Sequence, residues 1–275
     1  MTQHAEQPQP NCGSQCKETA FSTSLGIPMR INGQGPYWVS VDTGAGLTVV
    51  LPEVAEELGL NKVGEETRRG VGGPVTIDLV GVKSVEADGV DVSLAKIGVG
   101  AFLKKLCGQS FQGNLGYDIL QHGRLIADFS GERMEFQPCD AAPAEGVRFR
   151  IASAKKPLVI VDTMVNGTGP YRFAIDTGAM GTCIAPGLAE ALGATRGQVV
   201  QVAGVGGAMD AYFTTETMRF SIGDTCRGEL SPFVIDIFDA IAPDTGSVLS
   251  GIIGQDIMRQ YIVTFDYGHN IISFV

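Results

Sequence analysis

Two copies of the tetrapeptide Asp-Thr-Gly-Ala, beginning at Asp42 and Asp176, contain the residues of this sequence that are best suited to chemistry. Each copy follows a short apolar run that reads as a strand, and its glycine permits the tight turn that leaves a carboxylate uncovered. Two carboxyl groups about 3 Å apart cannot both be ionised, so such a pair shares one proton. One member can then act as a base and the other as an acid on a single water molecule.

A third Asp-Thr-Gly, at residues 244–246, shows how little a single copy indicates. It follows Ala242-Pro243 instead of an apolar run and has no counterpart in the other half of the chain, so we interpret it as a turn. The chemistry therefore depends on whether the first two copies lie in matched surroundings.

An internal repeat supplies these surroundings. The alignment has an offset of 176 − 42 = 134 residues, which becomes 254 − 116 = 138 towards the end of each half. Three stretches match: 29–60 with 163–194, 70–73 with 204–207, and 114–120 with 252–258. Two homologous lobes therefore cover nearly the whole chain, and a pseudo-twofold axis between them would bring Asp42 and Asp176 together.

The elements that must position these residues are mostly strands and turns. Glycine is abundant, at 37 residues, and helix-period patterns are scarce. The sequence predicts a mainly β fold of two homologous lobes with a few short helices, for example after Pro52 and at 187–192. We expect four segments: a polar N-terminal extension (1–20), a first lobe (21–137), a linker (138–146) and a second lobe (147–275). At matched positions, Asp118 and Asp256 are expected to cap helices, and Thr48 and Thr182 to be strand residues.

Charge and hydropathy exclude several classes of partner. The net charge of −10 disfavours nucleic acids and anionic membranes, and fits either a plain acidic surface or a preference for cationic substrates. No run approaches the roughly 20 apolar residues that span a bilayer. The polar N-terminus is typical of a cytoplasmic protein, whereas a trimmed mature form would fit the periplasm or secretion, so the compartment stays open.

Cysteines and histidines indicate no metal site and no other catalytic class. The six cysteines fit three disulfides without requiring them, and free buried thiols are the alternative for Cys107 and Cys183. There is no CxxC pair with accompanying histidines, so no metal is expected. His4, His122 and His269 occupy no equivalent lobe positions, which disfavours Ser-His and Cys-His catalysis.

The duplicated Asp-Thr-Gly-Ala motifs and the later apolar-Gly runs resemble those of the pepsin and retropepsin superfamily, in the tandem form of bacterial retropepsin-like proteins. The resemblance covers about residues 21–275 and implies an aspartic endopeptidase that cleaves a peptide or protein substrate with no cofactor. It implies that residues next to the aspartates support the pair: Thr43, Gly44, Thr177 and Gly178. It also implies flaps that close over substrate at Val71, Gly72, Gly73, Val205, Gly206 and Gly207. Plain hairpin turns are the alternative interpretation of these glycine-rich segments.

The chain departs from the retroviral pattern at an ion pair. Retroviral relatives typically have Asp after the first motif and Arg after the later glycine, but this chain has Gly46 and Tyr117 in one lobe and Met180 and Gln255 in the other. The fold is still expected, whereas retroviral-style substrate contacts are not. Two alternatives stay open: a peptide-binding module without turnover, and lobes that pair between chains in place of a monomer.

Overall fold

The computed structural model of the chain describes residues 17–19, 22–106, 110–139 and 145–275. Most of the expected N-terminal extension, the middle of the expected linker, and Cys12, Cys16 and Cys107 lie outside the described residues. The described part is mainly β with short helices, and the predicted fold class is confirmed.

The first lobe is built on a nine-stranded sheet. In spatial order its strands are β6 (Lys62–Gly70), β7 (Gly73–Gly81), β10 (Lys96–Val99), β5 (Val49–Val50), β11 (Gly113–Leu115), β4 (Gln34–Val41), β3 (Gly26–Ile31), β8 (Val85–Ala87) and β9 (Val90–Val92). A separate hairpin precedes it, formed by β1 (Lys17–Thr19) and β2 (Ser22–Ser24).

The second lobe repeats this order strand for strand. Its strands are β19 (Arg196–Gly204), β20 (Gly207–Thr214), β23 (Phe233–Val234), β18 (Cys183–Ile184), β24 (Gly251–Ile253), β17 (Thr168–Ile175), β16 (Val159–Val165), β21 (Met218–Ile222) and β22 (Cys226–Leu230), with β15 (Arg150–Ile151) paired to β16. The repeat in the sequence is therefore a repeat of architecture.

A five-stranded sheet joins the lobes. Its order is β13 (Arg133–Pro138), β12 (Gly123–Asp128), β25 (Ile262–Asp266), β26 (Ile271–Phe274) and β14 (Val147–Arg148). Strand β12 pairs antiparallel with β25, which places Leu125 opposite Phe265. Arg124 and the fully buried Asp266 form an ion pair of 2.7 Å across the same two strands. The lobes thus share backbone hydrogen bonds and one continuous core.

Six short helices occur among the described residues: α1 (Pro52–Glu57), α2 (Leu103–Leu106), α3 (Tyr117–Leu120), α4 (Pro186–Ala191), α5 (Phe238–Thr245) and α6 (Gln255–Met258). The predicted helices after Pro52 and at 187–192 correspond to α1 and α4. None of these helices is long and apolar enough to cross a bilayer.

The interpretation of the third Asp-Thr-Gly as a turn was wrong. Asp244 and Thr245 form the last turn of α5, and Gly246 closes that helix with a left-handed φ of 73°. Helix α5 buries Phe238, Ile241 and Thr245, at the spacing of one helical face, and this apolar face overrides the turn preference of the tripeptide.

The cysteines that the structure describes are free thiols, namely Cys139, Cys183 and Cys226. Three disulfides would need all six cysteines, so that arrangement is not formed. Cys183 is buried, as the free-thiol alternative expected, and burial raises its pKa well above the usual range.

Candidate active site

A strand whose last residues are buried leads into each Asp-Thr-Gly-Ala motif, and the aspartate follows directly at the end of that strand. Along β4, Trp38 is partly exposed between the buried Tyr37 and Val39, but from Ser40 onward both faces are covered. The strand ends beside the parallel β11, and the Asp42 amide donates to the Leu115 carbonyl at 3.0 Å.

The second lobe places Asp176 at the end of its own buried strand in the same way. The end of β17 is continuously buried beside the parallel β24, and the Asp176 amide donates to the Ile253 carbonyl at 3.1 Å. Both aspartates are partly exposed at the ends of buried strands.

The two motifs meet, and each glycine contacts the carboxyl group of the other lobe. The Gly44 amide donates to Asp42 Oδ1 and the Gly178 amide to Asp176 Oδ1, both at 2.8 Å. A Cβ atom on Gly44 would lie 2.6 Å from Asp176 Cγ, and one on Gly178 would lie 2.6 Å from Asp42 Cγ. Glycine is therefore required at both positions, because any side chain would push the carboxyl groups away.

The threonines hold the two loops together through reciprocal hydrogen bonds. Each threonine amide donates to the hydroxyl of the other threonine, at 3.0 Å in both directions. The Thr43 hydroxyl donates to the Ile175 carbonyl at 2.9 Å, and the Thr177 hydroxyl donates to the Val41 carbonyl at 2.8 Å. Both threonines are almost fully buried, so the four bonds form a dry clamp across the pseudo-twofold axis.

The environment of Asp176 favours its protonated form. Burial and the nearby Asp42 carboxyl together raise the pKa of Asp176 to about 8, against the hydrogen bond from the Gly178 amide. Asp176 therefore retains a proton over the mildly acidic and neutral range. This is the state that two adjacent carboxyl groups need if they share one proton.

A lysine that the sequence analysis missed lies close to the pair. Burial lowers the pKa of Lys156, against the attraction of Asp176 and Asp42. Its Nζ donates to the Arg69 carbonyl at 2.9 Å, near the end of β6. Beside it, Arg68 Nη1 donates to the Lys155 carbonyl at 2.6 Å. Lys156 therefore links the strand of one hairpin to the neighbourhood of both aspartates.

The expected flap segments are the tips of two long hairpins, β6–β7 and β19–β20. The tips contact each other, and the Gly206 amide donates to the Val71 carbonyl at 2.9 Å. A Cβ atom on Gly72 would lie 2.6 Å from the Gly207 Cα, and one on Gly206 would lie 2.6 Å from the Gly73 carbonyl carbon. The structure thus brings the two glycine-rich segments, Val205 included, to one place by backbone contact.

The expectation that Asp118 and Asp256 cap helices needs correction. The N-cap of α3 is Gly116, which has no side-chain cap bond, and Asp118 lies inside the helix. Besides an amide of its own helix, the Asp118 carboxylate accepts the Thr48 hydroxyl at 2.6 Å, and Thr48 Oγ1 accepts the Gly116 amide at 3.0 Å. Asp256 and Thr182 repeat this contact at 2.6 Å. Thr48 and Thr182 therefore tie each motif to the helix beside it.

Tyr117 and Gln255 occupy the positions where retroviral relatives have Arg, and both form hydrogen bonds to the motif loop of their own lobe. Gln255 is buried, and its side chain donates to the Thr177 carbonyl at 2.7 Å while its amide donates to the Ala179 carbonyl at 2.8 Å. In the first lobe the Tyr117 amide donates to the Ala45 carbonyl at 2.8 Å. These bonds stabilise the loops without a charge pair.

Sequence reasoning also missed Asn114, whose Nδ2 lies 3.4 Å from Asp42 Oδ2. The alignment of the repeats contained the signal, because it pairs this polar residue with Ile252 inside an otherwise apolar run. The described residues contain no group of three or more His, Cys, Asp or Glu side chains arranged for a metal ion.

Comparison with known proteins agrees with this geometry. A family model described as aspartyl protease matches two segments of the chain, residues 27–119 and 161–257. Each segment lies within one lobe and contains one of the two motifs that meet. A search of curated proteins found no match.

Proposed function

The chain belongs to the aspartyl protease family, and we propose that it is an endopeptidase in which Asp42 and Asp176 activate one water molecule. The observation that carries the proposal is the contact of each motif's glycine with the carboxyl group of the other lobe. A structural aspartate that only closed a turn would need no such partner.

The proposed mechanism needs one proton on the pair. The ionised carboxyl removes a proton from water, the water oxygen attacks the scissile carbonyl carbon, and the protonated carboxyl donates its proton to the carbonyl oxygen. The tetrahedral intermediate then collapses: one of its hydroxyl groups returns a proton to the carboxyl that had donated one, the proton taken from water passes to the leaving nitrogen, and the C–N bond breaks. No covalent intermediate with the protein forms, and the chemistry requires no cofactor.

In this proposal the substrate is a peptide or protein segment held between the lobes, under residues 71–73 and 205–207 as flaps. Opening would break the Gly206–Val71 hydrogen bond and the Lys156–Arg69 hydrogen bond, so substrate entry is coupled to two contacts on the β6–β7 hairpin. The proposed unit is one chain, with lobes at 21–137 and 147–275 and a linker at 138–146, because the joining sheet uses strands of both lobes.

The test is cleavage of a mixed peptide library, read by mass spectrometry from mildly acidic to neutral pH. We expect Asp42→Asn and Asp176→Asn each to abolish cleavage. The matched control is Asp244→Asn, which alters the third Asp-Thr-Gly, at the end of α5, and should cleave as the wild type does. Cleavage that survives in both dyad variants would refute the proposal.

Binding without cleavage is the other informative outcome. If the wild type binds library peptides at every pH without hydrolysis, the chain is a peptide-binding module of the same fold. Solution mass at concentrations where activity persists separates a working monomer from lobes that pair between chains.

A further inference from the structure

The two lobes differ at the residues that lie behind the aspartates. In the first lobe, β4 and β11 run parallel with Ser40 in register with Asn114. In the second lobe, the same register places Ala174 beside Ile252. A polar pair in the first lobe therefore corresponds to an apolar pair at the equivalent positions of the second lobe.

The polar pair is hydrogen-bonded and aimed at Asp42. The Ser40 hydroxyl lies 2.8 Å from Asn114 Oδ1 and 3.3 Å from the Gly113 carbonyl, and both side chains are buried. Asn114 Nδ2 lies 3.4 Å from Asp42 Oδ2. The amide must present its NH₂ group to Asp42, because a carboxylate accepts hydrogen bonds and would repel the amide oxygen.

We propose that Asn114, oriented by Ser40, is a positioning residue that makes Asp42 the ionised member of the pair and leaves the proton on Asp176. This inference rests on the proposed function and gives each aspartate a role: Asp42 as the base for water and Asp176 as the acid for the scissile carbonyl. Asp42 has two donors, from Gly44 and Asn114.

On the second side of the axis the donor set is smaller. Asp176 accepts the Gly178 amide, but the positions that correspond to Ser40 and Asn114 are the apolar Ala174 and Ile252. Hydrogen bonds to a carboxylate favour its charged form, so the side with more donors should ionise first.

The other ionisable groups near the pair do not produce this preference. Lys156 interacts with both aspartates, and more strongly with Asp176, so it acts against the proposed assignment. The buried Tyr267 hydroxyl interacts with both aspartates, and the buried Cys183 thiol with Asp176; both are neutral at the working pH because burial raises the pKa of each. Together with the burial of Asp176, the hydrogen-bond donors of Asp42 therefore produce the asymmetry.

The test follows the two carboxyl groups directly, without relying on catalysis. Aspartate labelled with ¹³C at Cγ is titrated by NMR, and the two dyad signals are assigned by their loss in Asp42→Asn and Asp176→Asn. We expect the Asp42 signal to titrate first in the wild type. In Asn114→Leu its midpoint should rise by about 0.5–1 pH unit, less than a short charged hydrogen bond gives because 3.4 Å is long for N–H···O.

A matched control separates this effect from repacking. Ile252→Leu changes side-chain shape at the equivalent register of the second lobe and should leave both midpoints in place. Ser40→Ala keeps Asn114 but frees its amide, so we expect a smaller shift in the same direction, and this variant decides the matter if Asn114→Leu does not fold.

The strongest variant exchanges the two pairs by combining Ser40→Ala and Asn114→Ile with Ala174→Ser and Ile252→Asn. We expect it to reverse the order in which the two carboxyl groups titrate. Unchanged midpoints in Asn114→Leu and Ser40→Ala, or an unchanged order in the exchanged variant, would overturn the inference. If the wild type proves inactive towards peptides, the titration still gives an answer, so failure of the proposed function and failure of this inference are distinguishable.

Discussion

Replacing Thr177 with valine should break the clamp between the lobes while keeping the shape of the side chain. The hydroxyl accepts the Thr43 amide at 3.0 Å and donates to the Val41 carbonyl at 2.8 Å. The variant leaves this N–H and this C=O without partners in a site where Thr177 is only 2% exposed. Each buried polar group left unsatisfied costs about 1–3 kcal/mol, so the two groups predict a loss of about 2–6 kcal/mol in the free energy of unfolding.

The assay is urea unfolding followed by tryptophan fluorescence and circular dichroism, with Thr163→Val as the control. Thr163 in β16 is fully buried, and its hydroxyl has no hydrogen-bond partner among the described residues. Its replacement should be neutral or slightly stabilising, because no bond is lost. Thr177→Val should also lower the midpoint of thermal unfolding by roughly 4–24 °C, at about 2–4 °C per kcal/mol.

Thr43→Val tests the reciprocal half of the clamp, since that hydroxyl serves the Thr177 amide and the Ile175 carbonyl. If Thr177→Val and Thr43→Val unfold within about 0.5 kcal/mol of the Thr163→Val control, the threonines are not a clamp and the reasoning fails.

Three further predictions concern the flap, the dyad and a helix. Gly206→Ala should separate the hairpin tips and weaken peptide binding about tenfold, the equivalent of one lost hydrogen bond, as measured by KM. Asp176→Asn should be more stable than the wild type at pH 8, by up to about 5 kcal/mol, and close to it near pH 4. Burial raises the pKa of Asp176 above its unfolded value, so wild-type stability falls as pH rises between the two values, and urea titrations at both pH values check this. Gly187→Ala in α4, where a Cβ atom meets no neighbour within 4 Å, should raise stability by about 0.5–1 kcal/mol in the same assay.

The repeat predicted most of the fold because it records architecture directly. Residues aligned at a constant offset occupy the same strands in the two sheets, so Asp42 and Asp176 necessarily end equivalent strands. Local turn and helix chemistry was also readable: Pro52 begins α1, and the residue after its C-cap, Gly59, has the left-handed backbone that ends such helices.

What the sequence could not give depends on register and on contacts between distant segments. Asn114 reaches Asp42 only because β11 pairs with β4 in a register that no local pattern encodes. Lys156 lies outside the repeat, since its counterpart at an offset of 134 is Ser22, so the alignment gave it no weight. Asp118 looked like a helix cap because the distant Thr48, its actual partner, is 70 residues away.

The joining sheet has a consequence for how a peptide would lie in the molecule. A protease made of two identical chains offers a substrate two equivalent orientations, because rotation about the axis exchanges the halves. Here β12 and β25 hold unlike halves together, with Arg68 on one hairpin where the other has Val202. A polypeptide has distinct amino and carboxyl ends, so a bound peptide should prefer one of the two orientations between the unlike halves. Such a preference is open to this chain because each half can change sequence without the other.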